Sequence, residues 1–266
     1  MEHLFQSWRA FSTDCRAASH ILLLSDYDGT LTPIVGRPQD AVLSPGVRDK
    51  LSDLARKPDF SVGIVSGRSM SDLKSMAAIE GIYYAGNHGL EIEGPDLRYV
   101  SRDAELARAT IKDLAGQLAA ALESIAGIII EDKGLSLSVH YRLVKEAEHN
   151  VVVGTFKRVA SPLANEAKIR ITSGKKVMEV RPPVDWDKGK AVESIRREIR
   201  SLLKLERVLT VYLGDDTTDE DAFKVLQRPE GWSVFVGQEN PSSAADYFLN
   251  STAEVEEFLS RLLELR

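Results

Sequence analysis

The sequence predicts an α/β protein with a mainly parallel sheet and a smaller α+β domain inserted into it. Three observations support this fold class. Short apolar runs end in polar residues or glycine and are followed by helical patterns, as in βαβ units. Between residues 104 and 181 the pattern changes to helix, hairpin, helix, hairpin. From residue 182 the βα alternation resumes, so the expected parts are 1–103, 104–181 and 182–266.

Composition limits the classes of function. The chain has 266 residues and is 43% hydrophobic, which is enough to fill a sizeable core. A net charge of −6 and the absence of a long basic run argue against a nucleic-acid partner. The first residues are not expected to act as a secretory signal, and no apolar run approaches the roughly 20 residues that span a bilayer. With one cysteine, Cys15, it suits a reducing compartment. We expect a cytoplasmic protein without a membrane partner, compatible with a monomer.

The first predicted strand ends in two carboxylates. An apolar run, Ile21–Ser25, is followed by Asp26-Tyr-Asp28-Gly-Thr30. The two aspartates would repel each other, and a divalent cation with oxygen ligands would relieve that repulsion. Gly29 permits a sharp turn, and Thr30 adds a hydroxyl beside the acids. The same residue types are common in ordinary turns, so this segment alone does not decide between a turn and an active site.

Two further strand ends carry candidate phosphate-binding and substrate-binding groups. The predicted strand Phe60–Val65 ends in Ser66-Gly67-Arg68, before a helix that Ser69 would cap. A serine and free helix N–H groups at this position can hold a phosphate oxygen. The strand Ile82–Ala85 is followed by Asn87 and His88, which could contact a substrate. The alternatives are serines that only cap the helix and a histidine with a structural role.

Helices and a hairpin complete the first part. Apolar residues at helical spacing predict a leading helix over residues 3–18. Ser44-Pro45-Gly46 is typical of an N-cap followed by proline in the first helical turn. Residues 90–100 are expected to form a polar hairpin that turns at Gly94-Pro95.

The inserted segment predicts two helices and two hairpins. The helices are expected over Leu106–Ile125 and from Lys145 to about residue 160. The first hairpin joins a strand at 127–131 to a returning strand at 135–142. The second pairs 168–172 with 176–181.

The returning strand at 135–142 alternates between apolar and polar residues, so one of its faces is polar. Glu131 and Lys133 lie at the preceding turn, and the polar face carries Ser136, Ser138, His140 and Arg142. This set could bind sugar hydroxyls. The alternative is a face that only contacts water.

The last part contains a basic helix start and an acidic strand end. Asp187 is a plausible N-cap, and Lys188 and Lys190 lie in the first turn, where the helix dipole disfavours cations. At least one lysine should therefore have an anionic partner. A predicted strand, Val208–Leu213, ends in an acidic cluster that contains Asp215, Asp216 and Asp219. Acids on two neighbouring strand ends would form a metal site, whereas acids on one could simply favour a helix start.

Four of these signals occur in a characteristic order: Asp26-Tyr-Asp28-Gly-Thr30, Ser66, Lys188, and Gly214-Asp215-Asp216 with Asp219. Together they resemble the haloacid dehalogenase superfamily of phosphohydrolases, which implies a Rossmann-like core. The insertion resembles the C2-type cap domain of that superfamily. Finer details resemble the trehalose-6-phosphate phosphatase family: Val-Ser-Gly-Arg, Gly-Asn-His-Gly, Glu131-x-Lys133-x-x-Ser136-x-x-x-His140-Tyr-Arg142 and Gly-Asp-Asp-Thr-Thr-Asp-Glu-Asp.

This resemblance implies a small-molecule partner, a sugar phosphate, and a role for each matching residue. Asp26 would be the nucleophile and Asp28 the general acid and base, while Ser66 and Lys188 would hold phosphate oxygens. A Mg²⁺ cofactor would be bound by Asp26, Asp28, Asp215 and Asp216. The implied substrate-binding residues are Thr30, Arg68, Asn87, His88, Glu131, Lys133, Ser136, His140 and Arg142.

Alternative functions remain open at this stage. A related phosphatase could act on sucrose 6-phosphate or mannosyl-3-phosphoglycerate, and a phosphohexomutase would use the same core. A metal-dependent glycosyltransferase also uses Asp-x-Asp after a strand. A non-catalytic regulator could bind sugar phosphates on this fold.

Overall fold

The computed structural model describes residues 1–229 and 231–265 and divides the chain into two compact units. The larger unit combines Met1–Tyr99 with the segment that begins at Trp186, and the smaller unit is Val100–Asp185. Within the described ranges, none of the helices has the length and hydropathy that a membrane span requires.

The strands are β1 (Glu2–His3), β2 (Ile21–Ser25), β3 (Phe60–Val65), β4 (Tyr83–Gly86), β5 (Glu91–Glu93), β6 (Arg98–Val100), β7 (Ile129–Asp132), β8 (Leu137–His140), β9 (Arg170–Gly174), β10 (Val177–Arg181), β11 (Leu209–Gly214), β12 (Gly231–Val236) and β13 (Tyr247–Leu249). The helices are α1 (Trp8–Ala17), α2 (Pro45–Ala55), α3 (Met70–Ala77), α4 (Arg102–Leu122), α5 (His149–Asn165), α6 (Lys188–Leu203), α7 (Glu220–Val225) and α8 (Thr252–Leu265).

A nine-stranded sheet forms the centre of the larger unit, in the order β1-β13-β12-β11-β2-β3-β4-β5-β6. Pairing is parallel from β1 to β4 and becomes antiparallel between β4 and β5. The predicted α/β fold class is therefore confirmed. Alternate residues of β2 pack into two different cores: Ile21 and Leu23 into one, Leu22 and Leu24 into the other. Burial on both faces explains why the strand is apolar from Ile21 to Leu24.

The register of the central strands places three strand ends side by side. Ser25 lies opposite Leu213 on β11 and Ile64 on β3. The N–H of Asp26 donates to the Leu213 carbonyl at 2.8 Å, which extends the β2–β11 ladder by one residue. Residues that follow β2, β3 and β11 consequently emerge at the same edge of the sheet, as expected for parallel strands.

The smaller unit has a four-stranded antiparallel sheet in the order β7-β8-β10-β9. Its core consists of apolar residues from α4 and α5 and from one face of the sheet, including Leu114, Phe156, Val139 and Val180. The order of helices and hairpins is the one predicted from the sequence.

Some element boundaries were wrong. The leading helix begins at Trp8 rather than residue 3, because Glu2 and His3 pair with β13. Helix α4 begins at Arg102 because Ser101 caps it, its hydroxyl accepting from the Ala104 N–H. Strand β8 ends at His140, so Arg142 lies in the turn beyond the strand.

Candidate active site

Asp26 lies at the end of β2 with only 6% of its surface exposed. The Lys188 ammonium donates to its Oδ1 at 2.6 Å. Burial raises the pKa of Asp26 well above its usual value, Lys188 opposes this shift, and the charges of Asp219 and Asp215 add to it. The carboxylate is thus held in an ionic pair in a site that disfavours further negative charge.

Lys188 begins α6, and Asp187 caps the helix by accepting from the Lys190 N–H at 2.8 Å. The Lys188 ammonium is buried and makes a second bond, of 2.7 Å, to Asp219. Burial alone would lower the pKa of Lys188, but Asp219 and Asp26 together hold it above its usual value. The predicted anionic partner of a first-turn lysine is therefore confirmed, and it is a pair of carboxylates.

Asp219 is fully buried and accepts four hydrogen bonds. Its Oδ1 accepts from Lys188 and, at 2.6 Å, from the Tyr212 hydroxyl. Its Oδ2 accepts from the backbone N–H groups of Asp215 and Asp216 at 3.0 and 3.1 Å. Because both oxygens are occupied in this way, Asp219 is suited to orienting Lys188 rather than to contacting a ligand. Tyr212 was not expected from the sequence, since it lies within a mainly apolar strand.

Asp215 lies beside Asp26 at the end of β11. Carboxylate oxygens of Asp26, Asp215 and Asp219 lie within 4.8 Å of one another. The Asp215 carboxylate also packs closely against Gly29. A Cβ at position 29 would lie only 2.1 Å from Asp215 Oδ2, so a larger residue would not fit. The Thr30 hydroxyl, expected to contact substrate, donates to Asp215 Oδ1 at 3.2 Å.

The donor set at this edge fits a divalent cation. Burial and the charges of Asp219 and Asp216 raise the pKa of Asp215 to about 7, and that of Asp26 is also raised. Burial is the largest cause of both shifts and the neighbouring carboxylates add to it, so a nearby cation would favour the ionised form of both groups. Hard oxygen donors with excess negative charge suit Mg²⁺ or a similar ion. With Asp219 occupied by its own partners, Asp26 and Asp215 are the two carboxylates available to such an ion.

Asp216, also expected to be a metal ligand, is placed differently. Its side chain is exposed, and Oδ1 accepts from the Thr218 N–H. Desolvation is the largest single influence on Asp216 and opposes its ionisation, but Lys188 and the hydrogen bonds from Thr218 together outweigh it and lower the pKa. Among the residues described, Asp216 does not join the group formed by Asp26, Asp215 and Asp219.

Asp28 and Arg68 form an ion pair next to this group. Both carboxylate oxygens of Asp28 accept from the Arg68 guanidinium, each at 2.6 Å. The side chain of Asp28 is 41% exposed, whereas that of Arg68 is 8% exposed. The sequence predicted Arg68 as a substrate contact; the structure places it against the other candidate catalytic aspartate.

Ser66, Asn87 and His88 lie around the ends of β3 and β4. Ser66 is buried, and its hydroxyl accepts from the Arg68 N–H at 3.2 Å. Asn87 and His88 have φ of 50° and 58°, a left-handed conformation that is costly for residues other than glycine. Their N–H groups donate to the carbonyls of Arg68 and Ser66. The His88 ring packs against Gly67, where a Cβ would come within 2.6 Å of it.

The smaller unit contains a separate polar cluster on the sheet face opposite its helices. The Glu131 carboxylate lies 2.8 Å from His140 Nε2, and Lys133 lies 3.4 Å from Glu179. Arg181 Nη2 also pairs with Glu179, at 2.6 Å. The strand register places Glu131, Ser138, Glu179 and Thr172 in one row across the sheet.

Sequence reasoning missed Glu179 and Arg181. A short signal was present, because residues 178–181 alternate between apolar and charged side chains. Ser136 is buried, whereas Arg142 is exposed and donates to the Lys175 carbonyl at 3.2 Å. The structure therefore brings Glu131, Lys133 and His140 to one polar face and leaves Arg142 in the turn beyond it.

Residues 24–253 match the family described as trehalose-phosphatase. The chain belongs to the trehalose-phosphatase family. A relative from Arabidopsis thaliana, described as probable trehalose-phosphate phosphatase D, is 36% identical over 254 residues, which cover 92% of this chain and 67% of that protein. Trehalose 6-phosphate phosphatase RA3 of Zea mays is 38% identical, over 91% of this chain and 69% of its own length.

Solved structures agree with this assignment. The C-terminal domain of trehalose-6-phosphate phosphatase from C. albicans has a TM-score of 0.79 and 26% identity, covering 97% of each chain. A haloacid dehalogenase-like hydrolase from Bacteroides thetaiotaomicron has a TM-score of 0.62 and 17% identity, covering 91% of this chain and 99% of its own. The second likeness shows the fold alone, and it identifies that fold as haloacid dehalogenase-like.

The carboxylates that give this site its charge should also destabilise the metal-free protein. We expect Asp215→Asn to raise the free energy of unfolding at pH 8 by about 1–3 kcal/mol. The folded protein raises the pKa of the Asp215 carboxyl to about 7, whereas the usual value of 3.8 applies in the unfolded chain. The folded state therefore binds more protons between these values, and wild-type stability gains from this group as pH falls from 7 towards 4.

Urea unfolding of metal-free wild type and Asp215→Asn at pH 8 and pH 5 measures this effect. The advantage of the variant should shrink at pH 5. If Asp215→Asn were less stable than wild type at both pH values, the carboxylate would not be in an unfavourable environment.

Proposed function

We propose that this chain hydrolyses trehalose 6-phosphate to trehalose and inorganic phosphate in a Mg²⁺-dependent reaction. The observation that carries the proposal is the buried Asp26–Lys188–Asp219 chain at the sheet edge, in a member of the trehalose-phosphatase family. A carboxylate held by a lysine that is itself held by a second carboxylate is a suitable nucleophile for a phosphate ester.

The proposed reaction has two steps. Asp26 attacks phosphorus, the bond between phosphorus and the sugar oxygen breaks, and Asp28 supplies a proton to the departing oxygen. Asp28 then takes a proton from the water molecule that attacks the aspartyl-phosphate, which regenerates Asp26 and releases phosphate. Ser66 and Lys188 hold the other phosphate oxygens and offset their charge.

Asp26 and Asp215 would hold the metal ion, with Asp28 contributing its backbone carbonyl. When bound, Mg²⁺ supplies positive charge that polarises the phosphoryl group. Asp216 is exposed, so its side chain would have to turn inward to bind the metal ion.

The smaller unit is proposed to be the C2-type cap that selects the sugar. Its polar face offers carboxylates and cations in hydrogen-bonded pairs, which is the chemistry that recognises hydroxyl groups. Glu131, Lys133, Ser136 and His140 belong to the proposed sugar-binding set. Arg142, Thr30, Asn87 and His88 remain proposed substrate contacts.

Phosphate release from a panel of esters tests the function. We expect trehalose 6-phosphate to be preferred over glucose 6-phosphate, sucrose 6-phosphate and mannosyl-3-phosphoglycerate, with activity lost in EDTA and restored by Mg²⁺. Full activity after exhaustive EDTA treatment would contradict the metal site. Preference for another ester would leave the Asp26 chemistry in place and overturn the sugar assignment.

Selection of the sugar by the polar face predicts a substrate-dependent effect of Glu131→Ala. The KM for trehalose 6-phosphate should rise about tenfold or more, because a charged hydrogen bond to the sugar is lost. The KM for p-nitrophenyl phosphate, which has no sugar, should change little. Glu146→Ala, an exposed acid in the same unit, is the matched control. Equal changes in KM for both substrates would show that Glu131 does not bind the sugar.

A further inference from the structure

The Arg68 guanidinium binds Asp28 through two parallel hydrogen bonds. Nε donates to Oδ2 and Nη2 donates to Oδ1, both at 2.6 Å. A planar fork of this kind fixes the position of a carboxylate and also the plane in which it lies. The two residues are 40 positions apart in sequence, so this contact depends on the packing of β2 beside β3.

Arg68 is the fixed member of the pair. Its Nη2 also donates to the Pro38 carbonyl at 2.7 Å, and Nη1 lies 3.1 Å from the Met76 sulfur. The guanidinium carbon lies 5.4 Å from the centre of the Tyr27 ring. With contacts on several sides and little exposure, this group has one available orientation. The half-exposed Asp28 carboxylate is docked onto it.

We infer that Arg68 is a positioning residue that orients the Asp28 carboxyl group for proton transfer to the leaving oxygen. This inference rests on the proposed phosphatase function. The fork occupies one acceptor position on each Asp28 oxygen, and each oxygen retains another. A proton can therefore pass from Asp28 to the departing oxygen while the Asp26–phosphorus bond forms and the phosphorus–oxygen bond of the ester breaks. The orientation of that proton is set by Arg68.

This role differs from the one expected from the sequence, a direct contact with substrate. An arginine that binds the phosphate would contribute equally to every phosphate ester. An arginine that orients the general acid contributes in proportion to the basicity of the leaving group, because only a strongly basic leaving oxygen needs a proton. Leaving-group dependence therefore distinguishes the two roles.

The test compares kcat/KM of wild type and Arg68→Met on p-nitrophenyl phosphate, phenyl phosphate and trehalose 6-phosphate. This constant covers the steps up to aspartyl-phosphate formation and excludes hydrolysis of the intermediate. The leaving groups increase in basicity from p-nitrophenolate through phenolate to the sugar alkoxide. We expect losses of under about threefold on p-nitrophenyl phosphate and about 30-fold or more on trehalose 6-phosphate, with phenyl phosphate between them.

Three variants serve as controls. Arg48 donates to the Ala77 carbonyl at 3.0 Å and to the Met76 carbonyl at 3.4 Å, so Arg48→Met perturbs the same end of α3 and should leave the leaving-group dependence unchanged. Arg68→Lys keeps the charge but cannot form the fork, and should not restore activity on trehalose 6-phosphate. In an Asp28→Ala background, Arg68→Met should cause no further loss.

An equal loss on all three esters, or a further loss in the Asp28→Ala background, would overturn the positioning role and favour a direct phosphate contact. Full rescue by Arg68→Lys would overturn the need for a fixed fork. If wild type hydrolyses both aryl esters but not trehalose 6-phosphate, the sugar assignment fails. The two aryl esters then still decide the role of Arg68.

Discussion

Asp26→Asn should reduce kcat by about 10⁴-fold or more, because the amide oxygen is a poor nucleophile and cannot form the aspartyl-phosphate intermediate. The substitution keeps the size of the side chain and removes the charge on the atom that would form the new bond to phosphorus. The fold should survive. The neutral amide has nearly the same size and replaces a buried carboxyl group. Burial already raises the pKa of that carboxyl, so its charge is unfavourable in the folded state.

Phosphate release, circular dichroism and thermal unfolding together measure this prediction. The metal-free variant should melt no lower than the metal-free wild type. Wild type, but not Asp26→Asn, should carry one phosphate on a peptide containing residue 26 after rapid acid quenching. Asp113→Asn, an exposed aspartate on α4, is the matched control and should behave as wild type. Near-normal turnover by Asp26→Asn would eliminate the covalent mechanism.

Lys188→Met should lower both stability and turnover. The ammonium bonds to Asp26 at 2.6 Å and to Asp219 at 2.7 Å, and all three groups are buried. Removing the only cation that bonds to both carboxylates among the described residues leaves two unpaired buried charges, which costs about 3–5 kcal/mol in the free energy of unfolding. The loss of charge beside the phosphoryl group should lower kcat about 10²-fold or more.

Urea unfolding and phosphate release measure the two effects in the same preparations. Lys190→Met is the matched control: it removes a lysine from the same helical turn, but one that is 36% exposed and 3.9 Å from Asp187. Its effect on both quantities should be small. The destabilisation by Lys188→Met should decrease as pH falls. A buried aspartate whose pKa is raised in the folded state stabilises that state when it becomes protonated. Equal effects of the two lysine variants would show that the buried pair contributes little.

Much of the site could be predicted from local sequence. Asp26 and Asp215 each follow an apolar run, and the rule that parallel strands end at one edge brings them together. An anionic partner for Lys188 or Lys190 could be predicted because a lysine in the first turn of a helix opposes the dipole, and the resemblance to haloacid dehalogenases selected Lys188. The same kind of local signal, the alternation of residues 178–181, would have revealed Glu179.

Other features could not be predicted because they depend on side chains that meet across the fold. Asp219 and Asp216 lie three residues apart in the same acidic cluster, yet one accepts four hydrogen bonds in the interior and the other is exposed. Composition and spacing do not separate them. Arg142 followed the alternation of β8, but the strand ends at His140, so the period of two no longer applies to it.

The sequence by itself therefore determined the fold class, the strand ends that carry acids and the need for a counter-charge at Lys188 or Lys190, because apolar periodicity and helix electrostatics are local properties. Tertiary structure decided which partner each charged group has. Packing of β2 beside β3 and β11 brings Arg68 onto Asp28 and places Asp219, rather than Asp216, against Lys188. The physical reason is that a buried charge pairs with whichever group the folded backbone places within hydrogen-bonding distance. The residues next to it in the sequence do not determine that distance.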